Sequence, residues 1–172
     1  HLGKYFLTGG RLVAYKKFAL TIKAFNRLGI PLKIFGEGPE LDNLKKLAKD
    51  NITFVGKLNQ EELVDAYSKA IAFIHPQIED FGITAIESMA SGRPVIAYSA
   101  GGACETVVEG KTGKFFDEQT WEALADTVVR FKAEEFNPEE IKKYAEKFGV
   151  ERFKEEIVGL VETEVEKKNK NR

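Results

Sequence analysis

The sequence has little cysteine, little net charge and no long apolar run. Cys104 is the only cysteine among 172 residues, which excludes an intramolecular disulfide and a cysteine-based metal cluster. We expect Cys104 to be a small packing residue. The formal net charge of -1 provides no field that would steer the chain towards nucleic acid or anionic lipid, so no nucleic-acid partner is expected. No apolar run approaches the roughly 20 residues of a membrane-spanning helix. Any anion site must therefore arise from local geometry.

What the sequence does contain is a regular alternation of short apolar runs and amphipathic stretches. A length of 172 residues suits one domain, and a hydrophobic content of 43% can fill its core. Strands that alternate with helices predict a parallel sheet with helices on both faces, which is a doubly wound, Rossmann-like α/β fold. We expect residues 1–172 to form this single domain, with 138–172 as C-terminal helices. The predicted strands are 5–7, 32–35, 52–55, 71–74, 95–97 and 114–116.

The loop after the fourth predicted strand is the most informative segment. It runs from Glu79 into a predicted helix over 83–90, and Gly82 would let a ligand approach the backbone closely. The first N–H groups of a helix have no partner within it, so those around Ile83 and Thr84 predict an anion site. The Thr84 hydroxyl can add a further hydrogen bond. We expect Ile83, Ile86 and Ala90 to face inward.

Two carboxylates, Glu79 and Glu87, flank this predicted anion site. Glu87 falls in the first turn of the predicted helix, and Glu79 precedes it. A carboxylate can accept hydrogen bonds from two vicinal hydroxyls, each bond contributing roughly 1.5–3 kcal/mol. A nucleotide sugar offers such hydroxyl pairs at both ends, in its ribose and its hexose. The alternative is that Glu87 complements the helix dipole and Glu79 is a solvated loop residue, which leaves Gly82 and the pairing unexplained.

Two cations, Arg11 and Lys16, lie in the loop after the first predicted strand. Arg11 can fork onto phosphate oxygens, and Lys16 supplies a mobile point charge. The alternative is a solvated basic loop, and from these two residues alone that reading stays open. The segment Gly36-Glu37-Gly38-Pro39 resembles a dinucleotide fingerprint weakly, because Leu41 stands where a third glycine would be expected. This departure counts against NAD binding.

Three passages, taken in order, resemble the family-4 (group 1) retaining glycosyltransferases. The order and spacing of the passages agree with that family from about residue 5 to residue 116, although each is weak alone. The family is a two-domain GT-B family, and the resemblance implies that this chain is its C-terminal, donor-binding half. The three passages are Gly10-Arg11-Leu12-Val13 with Lys16, the E-x7-E segment 79–87 with Phe81-Gly82 inside it, and 92–97 with Gly101-Gly102 and Glu105.

The resemblance implies roles for the residues of these loops. Arg11, Lys16 and Glu79 would be the catalytic residues, with the two cations on the donor diphosphate and Glu79 on the hexose hydroxyls. Glu87 would accept hydrogen bonds from the ribose. No metal or other cofactor is implied, because the two cations offset the diphosphate charge. The remaining residues implied to bind the donor are Gly10, Gly36, Gly38, Lys57, Leu58, Phe81, Gly82, Ile83 and Thr84.

The resemblance also implies an activity and partners. The expected reaction is transfer of a hexose to an acceptor hydroxyl with retention, most simply mannose from GDP-mannose, in polysaccharide or glycolipid biosynthesis. The acceptor, a sugar or a lipid-linked sugar, would bind to a preceding N-terminal domain, so this chain alone is expected to be inactive. A UDP-sugar donor, a non-catalytic nucleotide-sugar-binding module, and other sugar chemistry such as epimerisation or phosphorolysis are the alternatives. The lone cysteine fits a cytoplasmic location, with peripheral membrane attachment of a longer protein left open.

Overall fold

The computed structural model describes residues 3–170, and its centre is a six-stranded parallel sheet. The spatial order of the strands is β3-β2-β1-β4-β5-β6. All six predicted strands are confirmed, most of them one or two residues longer than the sequence pattern indicated. The strands are β1 (Tyr5–Gly9), β2 (Leu32–Phe35), β3 (Ile52–Gly56), β4 (Ala70–His75), β5 (Val95–Tyr98) and β6 (Gly113–Phe116).

The chain reverses its direction of travel across the sheet between β1 and β4. These two strands are hydrogen-bonded neighbours, with Leu7 opposite Phe73, although β2 and β3 lie between them in sequence. In an open α/β sheet, the loops that leave such a pair of strands diverge to opposite faces and open a crevice. The loops after β1 and β4 therefore border the crevice in which ligands of this fold class bind.

Helices cover both faces of the sheet, as a doubly wound fold requires. Successive side chains of a strand point to opposite faces, so Phe6 belongs to one core cluster while Tyr5 and Leu7 belong to the other. The helices are α1 (Phe18–Leu28), α2 (Leu41–Leu47), α3 (Gln60–Ser68), α4 (Ile83–Ala90), α5 (Ala103–Thr106), α6 (Trp121–Arg130), α7 (Pro138–Ala145) and α8 (Val150–Lys170). On one face α1 packs against α6, and on the other α4 packs against α7.

Local sequence signals fix several helix ends. Asn59 and Glu62 form a reciprocal capping box at the start of α3, with hydrogen bonds of 2.8 and 3.0 Å. Gly29 adopts a left-handed conformation and ends α1. The side chains of Thr120 and Asn137 cap α6 and α7. These two caps place the start of α6 at Trp121 and the start of α7 at Pro138.

Two expectations about packing are wrong. The buried face of α4 consists of Ala85, Ser88 and Met89. Ile86 is half-buried against the core, as expected, whereas Ile83 is 63% exposed and Ala90 is also exposed. The small Ala85 and Ser88 allow α4 to lie close to the sheet, and the hydrophobic isoleucine stripe misled the prediction. Cys104 is exposed rather than packed, because the short helix α5 turns it away from the core.

Helix α8 differs from the rest of the fold, because residues 150–168 are exposed on every side. Its apolar residues are among the exposed ones and include Phe153, Ile157, Leu160 and Val161. In the described part of the chain, nothing covers this apolar stripe. Residues 171 and 172, the end of the predicted C-terminal helices, lie outside the described residues.

Candidate functional site

A cavity of about 460 Å³ opens at the carboxyl edge of the sheet, beside the crevice between β1 and β4. It combines residues from the loop after β1 with residues 78–82 of the loop that joins β4 to α4 and with the first two residues of α4. The lining residues are Tyr15, Lys16, Ile78, Glu79, Asp80, Phe81, Gly82, Ile83 and Thr84. Six of the residues predicted for the site, Lys16, Glu79, Phe81, Gly82, Ile83 and Thr84, thus line one cavity.

An ion pair between Lys16 and Glu79 crosses the crevice. Lys16 Nζ lies 2.7 Å from Glu79 Oε1, and the two side chains are only 12% and 18% exposed. Lys16 ends a 3-10 turn, Ala14–Lys16, after which Lys17 takes a left-handed conformation to begin α1. Burial alone would raise the pKa of Glu79, but hydrogen bonds from Lys16 and Gln77 outweigh burial and keep this pKa below its usual value. Glu79 is therefore a carboxylate at neutral pH.

His75 and Gln77 support the ion pair from behind. The Gln77 side-chain nitrogen lies 3.2 Å from His75 Nδ1 and 3.2 Å from Glu79 Oε2. A carboxylate can only accept hydrogen bonds, so the amide nitrogen of Gln77 faces Glu79 as a donor. Burial lowers the pKa of His75 to about 4, although the carboxylate of Glu79 acts in the opposite direction and Lys16 adds to the lowering. His75 is therefore a neutral, buried imidazole at pH 7.

The start of α4 leaves several polar groups without a protein partner. The helix has no side-chain cap, and the N–H groups of Ile83 and Thr84 precede the first residue that can donate within the helix. The Thr84 hydroxyl is buried and has no hydrogen-bond partner among the described residues. An oxyanion at this helix terminus would satisfy these donors and would also interact favourably with the helix dipole.

Glycines allow the loops around the cavity to touch. Gly82 has a φ of 80°, and a Cβ there would lie 3.2 Å from the imidazole ring of His75. A Cβ at Gly102 would collide with the backbone of Asp80, and the Gly102 N–H donates to the Glu79 carbonyl over 2.7 Å. The turn after β5 therefore supports the loop that carries Glu79, which explains why two glycines stand there.

Glu87 lies in a second cavity, a groove of about 380 Å³ between α3, α4 and α7. It accepts a hydrogen bond of 3.0 Å from the hydroxyl of Tyr67. Burial, and then the charge of Glu87, raise the pKa of Tyr67, so that hydroxyl keeps its proton. Gln60 and Leu63 of α3 also line the groove. The helix α4 thus connects the two cavities, with its first turn at one and Glu87 at the other.

The placement of Glu87 corrects one expectation. It is the fifth residue of α4 and so belongs to the second turn, rather than the first. At about 1.5 Å of rise per residue, Thr84 and Glu87 are separated by about 5 Å along the helix. Complementing the helix dipole, the alternative reading of Glu87, acts mainly within the first turn. The new position therefore weakens that alternative.

The remaining predicted residues lie at the rim of the site or in its scaffold. Arg11 is exposed and lines neither cavity, and Lys57 is exposed as well. Leu58 is half-buried against the core cluster that contains Tyr67 and Phe73. Gly10 lies beside Lys16, because a Cβ on Gly10 would be 3.5 Å from Lys16 Nζ.

Gly36 and Gly38 have a structural explanation. A Cβ at Gly36 would collide with the carbonyl of Gly10, and one at Gly38 would collide with the backbone of Leu12. Hydrogen bonds join the same loops, from Gly10 N to the Phe35 carbonyl and from Leu12 N to the Glu37 carbonyl, at 3.1 and 2.8 Å. Their close approach fixes the loop that carries Lys16. A direct contact of these two glycines with a ligand stays a prediction.

Sequence reasoning missed several residues that line the two cavities or support them. Gln77 holds Glu79, Tyr15 lines the first cavity, and Tyr67 and Lys142 line the second. The position of Gln77, two residues before Glu79 in a post-strand loop, was an available signal. Tyr67 and Lys142 lie on helices outside the motifs, so only the tertiary structure brings Tyr67 to Glu87 and Lys142 to the groove around it.

Residues 3–170 contain neither a membrane-spanning helix nor a candidate metal cluster. In that part of the chain, no helix is long and apolar enough to cross a bilayer. Nor does it contain a group of three or more His, Cys, Asp or Glu side chains arranged to hold a metal ion. Independence of metal ions therefore stays a prediction.

Known proteins resemble this chain in sequence and in fold. Residues 3–148 match the family described as Glycosyl transferases group 1. Over 114 residues the chain is 38% identical to the GDP-mannose-dependent alpha-(1-6)-phosphatidylinositol monomannoside mannosyltransferase of Mycobacterium tuberculosis, which covers 59% of this chain and 30% of that relative. Over 125 residues it is 34% identical to the GDP-mannose-dependent alpha-mannosyltransferase of Corynebacterium glutamicum, which covers 70% of this chain and 30% of that relative. The chain therefore belongs to the group 1 glycosyl transferases.

The fold has solved counterparts. HepE of Anabaena, crystallised in complex with UDP-glucose, superimposes with a TM-score of 0.79 and 20% sequence identity, over 94% of this chain and 49% of HepE. This likeness establishes the fold, which is the Rossmann-like α/β arrangement of GT-B glycosyltransferases. The chain spans about half of HepE and about a third of the two curated relatives.

Proposed function

We propose that this chain binds the nucleotide-sugar donor of a retaining mannosyltransferase that uses GDP-mannose in glycan, polysaccharide or glycolipid biosynthesis. The observation that carries the proposal is the pairing of Lys16 with Glu79 at the crevice, beside the unpaired donors at the start of α4. A ligand with both phosphate and hydroxyl groups satisfies a cation, an anion and N–H donors together. The names of the two mannosyltransferase relatives support GDP-mannose as this ligand.

In the proposed complex, the donor extends from the first cavity to the groove. The hexose and the diphosphate occupy the cavity, and the ribose reaches Glu87, with Lys57 and Leu58 towards the base. Glu79 holds hexose hydroxyls, and we assign it a positioning role rather than that of a nucleophile. The two carboxylates thus serve opposite ends of one ligand.

The proposed reaction separates charge. As the glycosidic bond to the diphosphate breaks, the sugar becomes oxocarbenium-like and the leaving diphosphate gains negative charge. Lys16, Arg11 and the N–H groups at the start of α4 would stabilise that charge, which is usually a dominant contribution to catalysis. Arg11 would have to turn inward, because its side chain is exposed and lines neither cavity. The acceptor would bind to a further domain, since the two relatives are about three times longer than the matched segment.

A UDP-sugar donor is the second candidate. HepE shares this fold and was crystallised with UDP-glucose, although at 20% identity that likeness concerns the fold alone. The choice of base depends on the segment before α3, where the side chains of Asn59 and Glu62 already bond to the backbone of their own helix. Base recognition would then fall to backbone groups near Lys57 and Leu58.

Calorimetric titration of this chain with GDP, UDP, NAD and GDP-mannose tests the proposal. We expect GDP and GDP-mannose to bind, with NAD showing no binding, and Glu87→Ala to weaken both. Selective binding of UDP would mean that the donor carries uracil rather than guanine, and the rest of the proposal would stand. Binding of NAD alone, or of none of the four at millimolar concentration, would contradict it.

A further inference from the structure

His75 has a buried nitrogen that the proposed function does not use. Its ring is 1% exposed, and Nε2 is one of three buried side-chain polar atoms without a hydrogen-bond partner in the described part of the chain. Because the Gln77 amide donates to Glu79, the same nitrogen also faces His75 Nδ1 as a donor, so Nδ1 must accept. In a neutral imidazole the proton then resides on Nε2. Nε2–H is therefore a hydrogen-bond donor without an acceptor.

The nearest charged acceptor lies just beyond hydrogen-bonding distance. His75 Nε2 is 3.9 Å from Glu79 Oε2, whereas a hydrogen bond of this kind needs about 2.7–3.2 Å. A movement of the carboxylate by about 1 Å would complete the bond.

The two oxygens of Glu79 have different partners. Oε1 pairs with Lys16, and Oε2 accepts from Gln77. If Lys16 binds the donor diphosphate, as the proposed function requires, Oε1 becomes available to sugar hydroxyls. Glu79 then loses its cation while it remains mostly buried, and a buried carboxylate needs replacement donors.

We propose that His75 is a positioning residue for Glu79. When the donor draws Lys16 away, His75 replaces Lys16 as the partner of Glu79, and its Nε2–H donates a hydrogen bond to Oε2. His75 and Gln77 together then hold Oε2 and direct Oε1 towards the sugar. The role of this exchange of partners in donor binding rests on the proposed function. The exchange itself, from Lys16 to His75, depends only on residues of this chain. Gly82 leaves the room it needs, because any side chain there would press on the imidazole ring.

The exchange can be tested without any nucleotide. The chain has two histidines, His1 and His75, so their imidazole signals in ¹⁵N-edited NMR spectra are assigned by recording His75→Gln. Lys16→Met removes the cation from Glu79, and Lys17→Met removes the exposed neighbouring lysine as a matched control. We expect Lys16→Met to move the Nε2-bound proton of His75 downfield, as a new hydrogen bond to a carboxylate does, and Lys17→Met to leave it in place. An unchanged proton in Lys16→Met would overturn the exchange.

The same signal, recorded with GDP and with GDP-mannose, separates this inference from the proposed function. We expect a downfield shift with both ligands, because both carry the diphosphate that draws Lys16 away. Binding without a shift would overturn the inference and leave the proposed function standing. If neither GDP nor UDP binds, the proposed function fails, and the Lys16→Met spectrum still decides whether the partners exchange.

A second pair of variants distinguishes positioning from folding. His75→Gln keeps a donor near the Nε2 position, and His75→Leu removes it at similar volume. If His75 is a positioning residue, His75→Leu should lower the ratio of the affinities for GDP-mannose and GDP about tenfold. His75→Gln should keep most of the wild-type ratio. Equal loss of affinity for both ligands in His75→Leu would indicate a merely structural role and would overturn the inference.

Discussion

The two carboxylates of the site, Glu79 and Glu87, are held in different ways. Glu79 lies in a loop and depends on an ion pair of 2.7 Å with a lysine from another loop. Glu87 lies inside the helix α4 and accepts a hydrogen bond of 3.0 Å from the neutral hydroxyl of Tyr67. One carboxylate is therefore positioned by a charge that a ligand can compete for, and the other by the backbone of a helix.

This difference matches the proposed roles of the two carboxylates at opposite ends of one ligand. A helix terminus and its second turn are rigid, so Glu87 offers a preformed acceptor at the groove. In the proposed complex, Lys16 leaves Glu79 for the donor diphosphate, which makes the cavity end adjustable. We therefore expect substitutions at Glu79 to change discrimination between ligands, and substitutions at Glu87 to change affinity for all nucleotides alike.

The largest effect is expected from Glu79→Gln. This substitution removes charge-assisted hydrogen bonds to two hexose hydroxyls, each worth about 1.5–3 kcal/mol, so the affinity for GDP-mannose should fall about 100-fold or more. The affinity for GDP should stay the same or rise, because Lys16 is released from its partner. Titration calorimetry of the variant with both ligands measures this contrast.

Asp117→Asn, an exposed carboxylate after β6, is the control and should change neither affinity. A parallel fall in the affinities for GDP and GDP-mannose in Glu79→Gln would show that Glu79 does not act on the sugar.

Glu87→Ala is expected to lower the affinities for GDP and GDP-mannose equally, by about 10- to 100-fold. Its carboxylate would lose one or two hydrogen bonds to ribose hydroxyls, each worth about 1.5–3 kcal/mol. The wild-type chain and Glu87→Ala should bind 2′,3′-dideoxy-GDP with the same affinity, because this nucleotide lacks the ribose hydroxyls. Calorimetry with the three ligands completes the cycle.

The control for this cycle is Glu122→Ala, a carboxylate in the first turn of α6. If Glu87→Ala weakened the dideoxy nucleotide as much as GDP, the ribose assignment would be wrong.

The pH dependence of stability tests the cavity end of the site separately from the groove, because His75 lies behind Glu79. Its pKa falls from 6.5 to about 4 on folding. Between these values the unfolded chain binds a proton that the folded chain does not, so stability is lost as the pH falls through this range. From pH 7 to pH 4.5 the loss from this group is about 2 kcal/mol. Urea unfolding of wild-type chain and His75→Gln at both pH values should show a loss smaller by that amount in the variant.

His1 is present in both chains and cancels from the comparison. Identical pH dependence of wild-type chain and variant would mean that His75 is not desolvated in the folded state.

The smallest effect is expected from Tyr67→Phe at the groove end. Loss of its hydrogen bond to Glu87 should lower the free energy of unfolding by about 1 kcal/mol. The affinity for GDP should change less than about threefold, because the helix rather than the tyrosine positions Glu87. Urea unfolding and calorimetry measure the two quantities, and a tenfold loss of affinity would show that Tyr67 aims the carboxylate.

The sequence was sufficient to predict most of the fold. Strand positions follow from apolar runs bounded by turn residues, and helix starts follow from caps such as Asn59 and Asn137, because both signals are local. The inward face of α4 was predicted wrongly, since Ala85 and Ser88 are buried by a close approach that hydrophobicity alone does not indicate. Which face a short helix buries depends on how closely it approaches the sheet.

The site was predictable where motifs lie in loops that converge by topology. Lys16 and Glu79 meet because the loops after β1 and β4 border the same crevice. Their direct ion pair could not be foreseen, because it depends on side-chain positions in two separate loops. Tyr67 reaches Glu87, and Lys142 reaches the groove, only through helix packing, which the residues around the motif do not encode.

In the proposed complex, one nucleotide sugar spans the cavity and the groove. The most direct measurement is the change in backbone amide NMR shifts of this chain on titration with GDP-mannose. We expect the amide signals of Gly82, Ile83 and Thr84 and those of Gln60 and Leu63 to move together, with one dissociation constant. Movement at one end only, or at neither end under saturating ligand, would contradict it.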